Sequence, residues 1–159
     1  MPDIIVEPEK YGMIISSLVK AVKIPVTVKM RTGWDDRNRN APKLSKIAED
    51  CGARMITVHG RTRSQFYTGK SDWKFIGEVV NAVSVPVIGN GDISTVMDAK
   101  NMQLMSGCEG VMIGRGCQGR PWFPAQVSHY LKTGAQLGDP PHGVNLQKIL
   151  LHLEEMRTF

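Results

Sequence analysis

Val85-Pro86-Val87-Ile88-Gly89-Asn90-Gly91-Asp92 reads as a short apolar strand running into a glycine-broken turn. Gly110-Val111-Met112-Ile113-Gly114-Arg115-Gly116 repeats the pattern further along. A helix signal follows each. Glycine lets a backbone sit at positive φ, or approach a ligand with no Cβ in the way. Helix N-termini carry unpaired N–H groups and partial positive charge, so they attract phosphate. The two turns are therefore either a phosphate site or two tight β/α turns that bind nothing.

Working outward, the same unit appears twice more. Ile24-Pro25-Val26-Thr27-Val28-Lys29-Met30 and Met55-Ile56-Thr57-Val58-His59 are the other strand-like runs. The strands start about 25 to 31 positions apart, the period of a β/α repeat. Each follows a helical pattern. Residues 9–22 place Met13, Ile14, Leu18, Val19 and Val22 on one apolar face, with Pro8 in the first turn. Leu44, Ile47, Ala48 and Cys51 mark a second helix that stops at Gly52. Residues 72–83 turn Trp73, Ile76, Val79, Val80 and Val83 inward, capped by Ser71 or Asp72. Residues 94–106 are capped by Ser94 or Thr95 and end at Gly107. Pro121 starts a further helix through Phe123, Val127, Tyr130 and Leu131.

Val- and Ile-rich strands alternating with helices predict a parallel sheet, doubly wound or closed as a barrel. The polar and glycine residues all fall at the strands' carboxyl ends, where both folds place ligands. Paired glycine turns on neighbouring strands are the phosphate site of the last two strands in many (β/α)8 barrels. Residues 134–143, with Gly134, Gly138, Pro140 and Pro141, read as a linker. Residues 144–156 form an amphipathic helix through Leu146, Ile149, Leu150, Leu153 and Met156, read as the first helix of a truncated second domain.

The 159 residues are enough for one domain with a real core. A content of 42% hydrophobic and 22% charged residues excludes a disordered chain. No apolar run approaches the ~20 residues of a membrane span, and residues 1–7 lack the pattern of a signal peptide. Cys51, Cys108 and Cys117 are odd in number and lack CxxC spacing. They predict a cytoplasmic protein with neither a zinc site nor a disulfide framework. The net charge of +5 is compatible with a polyanionic partner.

Lys29, in a Val-rich strand, is either a solvent-facing strand-end lysine or a cation beside an anionic cofactor group. His59 is either structural or a donor to a ligand. Arg31, Arg37, Arg39, Arg61 and Arg63 crowd the first two β/α loops. They are solvated charges or a surface for a phosphate-rich partner. Phe66 and Tyr67 beside them cover a loop or stack a base. Asp92 reads as a cap of the following helix rather than an acid.

Four stretches, in order, resemble motifs of the tRNA-dihydrouridine synthases, with the bacterial B-type branch nearest. They are Pro25-Val26-Thr27-Val28-Lys29-Met30-Arg31-Thr32-Gly33-Trp34-Asp35, Thr57-Val58-His59-Gly60-Arg61-Thr62-Arg63, Pro86-Val87-Ile88-Gly89-Asn90-Gly91-Asp92-Ile93, and Met112-Ile113-Gly114-Arg115-Gly116 with Gly119-Arg120-Pro121-Trp122. The resemblance implies an FMN-containing (β/α)8 barrel followed by a helical tRNA-binding domain, reducing uridine in tRNA to 5,6-dihydrouridine with NADPH. It places this chain at strands five to eight: residues 1–133 as the barrel's C-terminal half, 134–143 as linker, and 144–159 as the start of the helical domain. It assigns Lys29 and His59 to the flavin, and Asn90, Gly91, Asp92, Gly114 and Arg115 to the ribityl phosphate. Arg31, Arg37, Arg61 and Arg63 would face tRNA. No metal is implied.

One element of the resemblance is missing. The family's proton-donating cysteine lies in an Asn-x-Gly-Cys-Pro motif that this chain lacks, and none of its three cysteines fits that role. The expectation is a half barrel that does not reduce uridine alone and whose open edges are prone to aggregate or to pair with another copy. The rival expectations are an FMN- or phosphate-dependent barrel oxidoreductase acting on a small metabolite, and a non-catalytic RNA- or phosphate-binding half barrel.

Overall fold

A computed structural model describes residues 7–157. The reading of residues 1–6, and of residues 158 and 159 at the far end, lies outside them. The elements are α1 (Pro8–Ala21), β1 (Val28–Arg31), α2 (Ala41–Asp50), β2 (Ile56–His59), α3 (Trp73–Ala82), β3 (Val87–Asn90), α4 (Val96–Ser106), β4 (Gly110–Met112), a 3-10 turn (Arg115–Cys117), α5 (Phe123–Thr133) and α6 (His142–Arg157).

The four strands are parallel and lie in chain order, β1-β2-β3-β4. A doubly wound sheet reverses its strand order at a switch point; this one does not. Helices α1 to α5 pack each against the next. Chain-order strands backed by one arc of helices are four units of a (β/α)8 barrel, so the fold is a partial barrel.

The register sorts the side chains. Lys29, Thr57, Ile88 and Gly110 share one row, and Arg31, His59, Asn90 and Met112 share the next row along the strands. Side chains two apart point to one face, so both rows lie on the face away from the helices. The other face carries Ile56, Val58 and Val87, buried with Ile76, Val79, Ala99 and Met102 from the helices. Burying an aliphatic side chain of this size contributes about 1.5–3 kcal/mol, so the helix-side face is where stability resides.

Local sequence sets most boundaries. Asp72 caps α3 by accepting the Phe75 N–H at 3.0 Å. Thr95 and Asp98 form a reciprocal capping box at α4, which ends at left-handed Gly107. Four readings need correction. Strand β1 begins at Val28 rather than Ile24, and β3 runs through Gly89 and Asn90 instead of stopping before them. A Cβ on Gly89 would lie 2.5 Å from Met102 Sδ and 3.0 Å from Cys108 Sγ, so this glycine serves close sheet–helix packing rather than the turn. Helix α1 buries Gly12 and Ile15, while Met13, Ile14, Leu18 and Val22 are exposed. The helix is apolar on more than one side, and Gly12 decides which side approaches α2, lying close to Ile47 and Cys51. Helix α5 starts at Phe123 with Pro124 in its first turn, and Pro121 stands before it.

The segment between α5 and α6 is tied back to α5. Gln126 Nε2 donates to the carbonyls of Leu137 and Gly138, and Trp122 Nε1 to the Asp139 carboxylate. On α6, Leu146, Ile149, Leu150, Leu153 and Met156 are all exposed. Among the described residues no helix is long and apolar enough to cross a membrane.

Candidate functional site

The carboxyl ends of the strands open into one cleft of about 770 Å³. Lys29, His59, Asn90, Gly91, Asp92, Gly114 and Arg115 all line it, joined by Arg31, Tyr67 and Arg120. The register explains the convergence: Arg31, His59 and Asn90 are lateral neighbours on β1, β2 and β3. The two glycine turns open onto this same space.

The turns are locked together. Gly91 has φ +122, a conformation open to glycine and strained for other residues. Its carbonyl accepts from Trp73 Nε1 at 2.9 Å. Gly116 packs so closely on the Ile93 carbonyl that a Cβ there would overlap it. Arg120 Nη2 donates to Ser94 O at 2.9 Å and to Gly116 O at 2.8 Å, bridging one turn to the other. Its guanidinium rests 4.4 Å from the Phe123 ring centre. The sequence reading placed Arg120 in the Gly119-Arg120-Pro121-Trp122 motif but gave it no role, because the motif does not say which carbonyls its guanidinium reaches. Gly114 differs from its neighbours. A Cβ there would meet nothing within 4 Å, so the missing side chain leaves room on the cleft side.

The cleft is cationic. Lys29, Arg31, Arg115 and Arg120 line it against one carboxylate, Asp92. Asp92 is already taken. Arg61 Nη1 and Nη2 donate to its two oxygens at 2.8 Å each, the Ser71 N–H donates at 2.8 Å, and Arg115 Nη2 lies at 3.4 Å. Burial pushes the Asp92 carboxyl up, but these bonds from Arg61 and Ser71 outweigh it and hold its pKa below the usual value. Its left-handed backbone, φ 55, is held by the same contacts. Asp92 therefore does not cap α4, where Thr95 does the work. Arg61 is the second correction. It is 3% exposed, with Nε and Nη2 also donating to the carbonyls of Thr68 and Gly69, so it offers no charge to a partner's surface.

His59 is neutral at physiological pH. Burial lowers its pKa to about 4, helped by the nearby cations Arg31, Lys29 and Arg61. Its Nδ1 accepts the Arg61 N–H at 3.3 Å, which leaves Nε2 carrying the proton. Lys29 is also shifted down, by burial first and Arg31 second. Asn90 lines the cleft, yet its amide nitrogen is committed to Met112 O at 2.8 Å, tying β3 to β4. Arg37 is exposed, and Arg63 stands over the Phe66 ring at 4.3 Å. Arg39 is half-buried, paired with Asp72 at 2.9 Å and stacked on Phe75. Cys51, Cys108 and Cys117 are free thiols, and none lines the cleft.

Chain-order parallel strands, backed by helices and opening at their carboxyl ends into a cationic glycine-walled cleft, define a partial (β/α)8 barrel. The fold resembles that of a solved mandelate oxidase mutant, with a TM-score of 0.50 at 15% identity over 78% of this chain and 50% of that one.

The chain belongs to the dihydrouridine synthase (Dus) family, whose model matches residues 4–159. It is 52% identical over 92% of its length to a probable tRNA-dihydrouridine synthase of Rickettsia conorii, of which it covers 44%. It is 46% identical over 96% of its length to tRNA-dihydrouridine synthase B of Xanthomonas campestris, of which it covers 46%. The chain thus spans under half the length of the curated relatives it matches.

Proposed function

We propose that this chain contributes the flavin-phosphate half of an enzyme that reduces uridine in tRNA to 5,6-dihydrouridine, with FMN as cofactor and NADPH as reductant. One observation carries the reading: seven residues from four strand ends line a single cationic cleft, with Gly114 leaving space where a Cβ would stand. That donor set suits FMN. A phosphate dianion is matched by Arg115 and by the two bridged turns. Bound FMN supplies hydride transfer, and the protein supplies position and electrostatics. In this reading Lys29 sets positive charge against the flavin ring, and His59 donates from Nε2. Asp92 works indirectly, steering Arg115, and Asn90 fixes the spacing of β3 and β4. Arg31 lines the cleft between the flavin side and the RNA side, while Arg37 and Arg63 are the exposed cations offered to tRNA. The target uridine leaves its stack to reach the cleft.

Residues 1–133 are read as barrel, 134–143 as linker and 144–159 as the start of a helical domain, in a cytoplasmic protein. The open edges of β1 and β4 suit pairing with a second copy.

The test compares FMN with riboflavin, which lacks the phosphate. Fluorescence titration is expected to show FMN binding at least tenfold tighter, a difference that Gly114→Val and Arg115→Ala remove. Equal binding of the two flavins would overturn the reading. With FMN, NADPH and tRNA, the chain alone is expected to form no dihydrouridine above background, because the family's proton-donating cysteine is absent from it.

A further inference from the structure

The loops after β1 and β2 continue the strand pairing beyond the sheet. Thr32 N–H donates to Arg61 O at 3.2 Å, Arg63 N–H to Gly33 O at 2.8 Å and Ser64 N–H to Trp34 O at 2.9 Å. This zipper sets the exposed rings of Trp34 and Phe66 on one rim, with the Arg63 guanidinium between them, 5.7 and 4.3 Å from their centres. Arg31 Nη1 donates to the carbonyls of Thr62 and Phe66 at 2.7 and 2.9 Å. Arg61 holds Thr68 and Gly69 from below. Two arginines thus clamp the loop backbone around Phe66 and Tyr67.

The clamp holds an unfavourable arrangement. Phe66 has φ 50, an outlier for a bulky residue; the residue is 54% exposed and Tyr67 64%. Apolar rings fixed in water on a strained backbone point to a use for their faces. Tyr67 lies at the boundary: it lines the cleft, and Arg115 stands 5.0 Å from its ring centre. A chain crossing this rim therefore meets aromatic faces first and the cleft next.

We infer that Phe66 and Tyr67 form a preset stacking platform for unpaired nucleobases flanking the nucleotide that enters the cleft. The inference rests on the RNA-substrate reading above. Base–aromatic stacking is tolerant of sequence and needs single-stranded RNA, whereas the cations recognise backbone in any RNA. The clamped loop lowers the ordering cost of binding.

The test uses the full chain with a labelled ten-nucleotide oligouridylate and an RNA duplex of equal length. Phe66→Leu and Tyr67→Leu keep apolar bulk but remove the aromatic face, and Tyr67→Phe keeps it. The single strand is expected to bind more tightly than the duplex. Each Leu variant is expected to weaken single-strand binding about tenfold, leaving duplex binding, the salt slope and the circular dichroism spectrum unchanged, while Tyr67→Phe binds as wild type. Leu variants that bind oligouridylate like wild type, or that lose duplex binding equally, overturn the platform and leave the RNA reading standing. A wild-type chain that binds neither RNA overturns both.

Discussion

Arg61 and Asp92 meet in a two-pronged ion pair, both nitrogen–oxygen distances 2.8 Å, that joins the loop after β2 to the glycine turn after β3. The guanidinium is buried and the carboxylate lies on the cleft wall. Planar fork-to-carboxylate geometry fixes orientation as well as distance. The pair therefore decides where the turn, and Arg115 beyond it, stand.

Removing one member leaves the other stranded. Asp92→Ala is expected to destabilise the fold by about 3 kcal/mol, because a buried guanidinium loses its counter-charge. Arg61→Lys is expected to recover little, since an ammonium cannot reproduce the fork. Urea unfolding of both variants checks this; a loss below about 0.5 kcal/mol for Asp92→Ala would show the pair to be dispensable.

Gly116→Ala tests the contact between the two turns. The added methyl would collide with the Ile93 carbonyl, a backbone atom that moves only with its turn. Overpacking of this kind costs about 1–3 kcal/mol. The variant is expected to melt lower and to bind FMN more weakly. Gly114→Ala, whose methyl meets nothing, is expected to keep its melting temperature.

His59 makes stability depend on pH in a defined window. Its folded pKa is lowered to about 4 by burial and nearby cations, from 6.5 when unconstrained. Between these values the unfolded chain binds the proton and the folded chain does not, so stability rises with pH there. His59's contribution is complete above pH 6.5 and is lost as pH falls towards 4. Urea midpoints measured from pH 7 to 4 are expected to fall, and His59→Gln to flatten the slope. Asp92, held below 3.8, adds a separate loss at lower pH.

The capping box gives a local test. Thr95→Ala removes the acceptor for the Asp98 N–H and is expected to cost about 1 kcal/mol. Helix α4 packs on α3, β3 and β4, so the whole melt should shift rather than one helix fraying. An unchanged melting temperature would mean that packing alone fixes the helix start.

Much of the fold was legible because β/α units announce themselves locally. The Val-rich runs, the stop at Gly107 and the caps, narrowed to Ser71 or Asp72 and to Ser94 or Thr95 before the structure chose Asp72 and Thr95, are short-range chemistry, readable within a few residues. The face of α1 was not legible. Met13, Ile14, Ile15, Leu18 and Val19 make more than one apolar stripe, and only the approach of α2 to Gly12 selects among them. Arg61 failed for a related reason. Its neighbours Arg37 and Arg63 are exposed, and nothing in the sequence says that a carboxylate 31 positions away draws this one inside.

The sequence by itself determined the four β/α units, their order and the placing of glycines and cations at the strands' carboxyl ends, since propensity, caps and turn chemistry act over one or two turns of chain. Parallel register realises the single cleft of Lys29, His59, Asn90, Gly91, Gly114 and Arg115 that the motifs imply, but tertiary structure alone decided that Arg31, Arg61 and Arg120 brace its walls. Those outcomes depend on parallel register and on hydrogen bonds spanning the loops, which join residues whose separation along the chain carries no mark of their meeting.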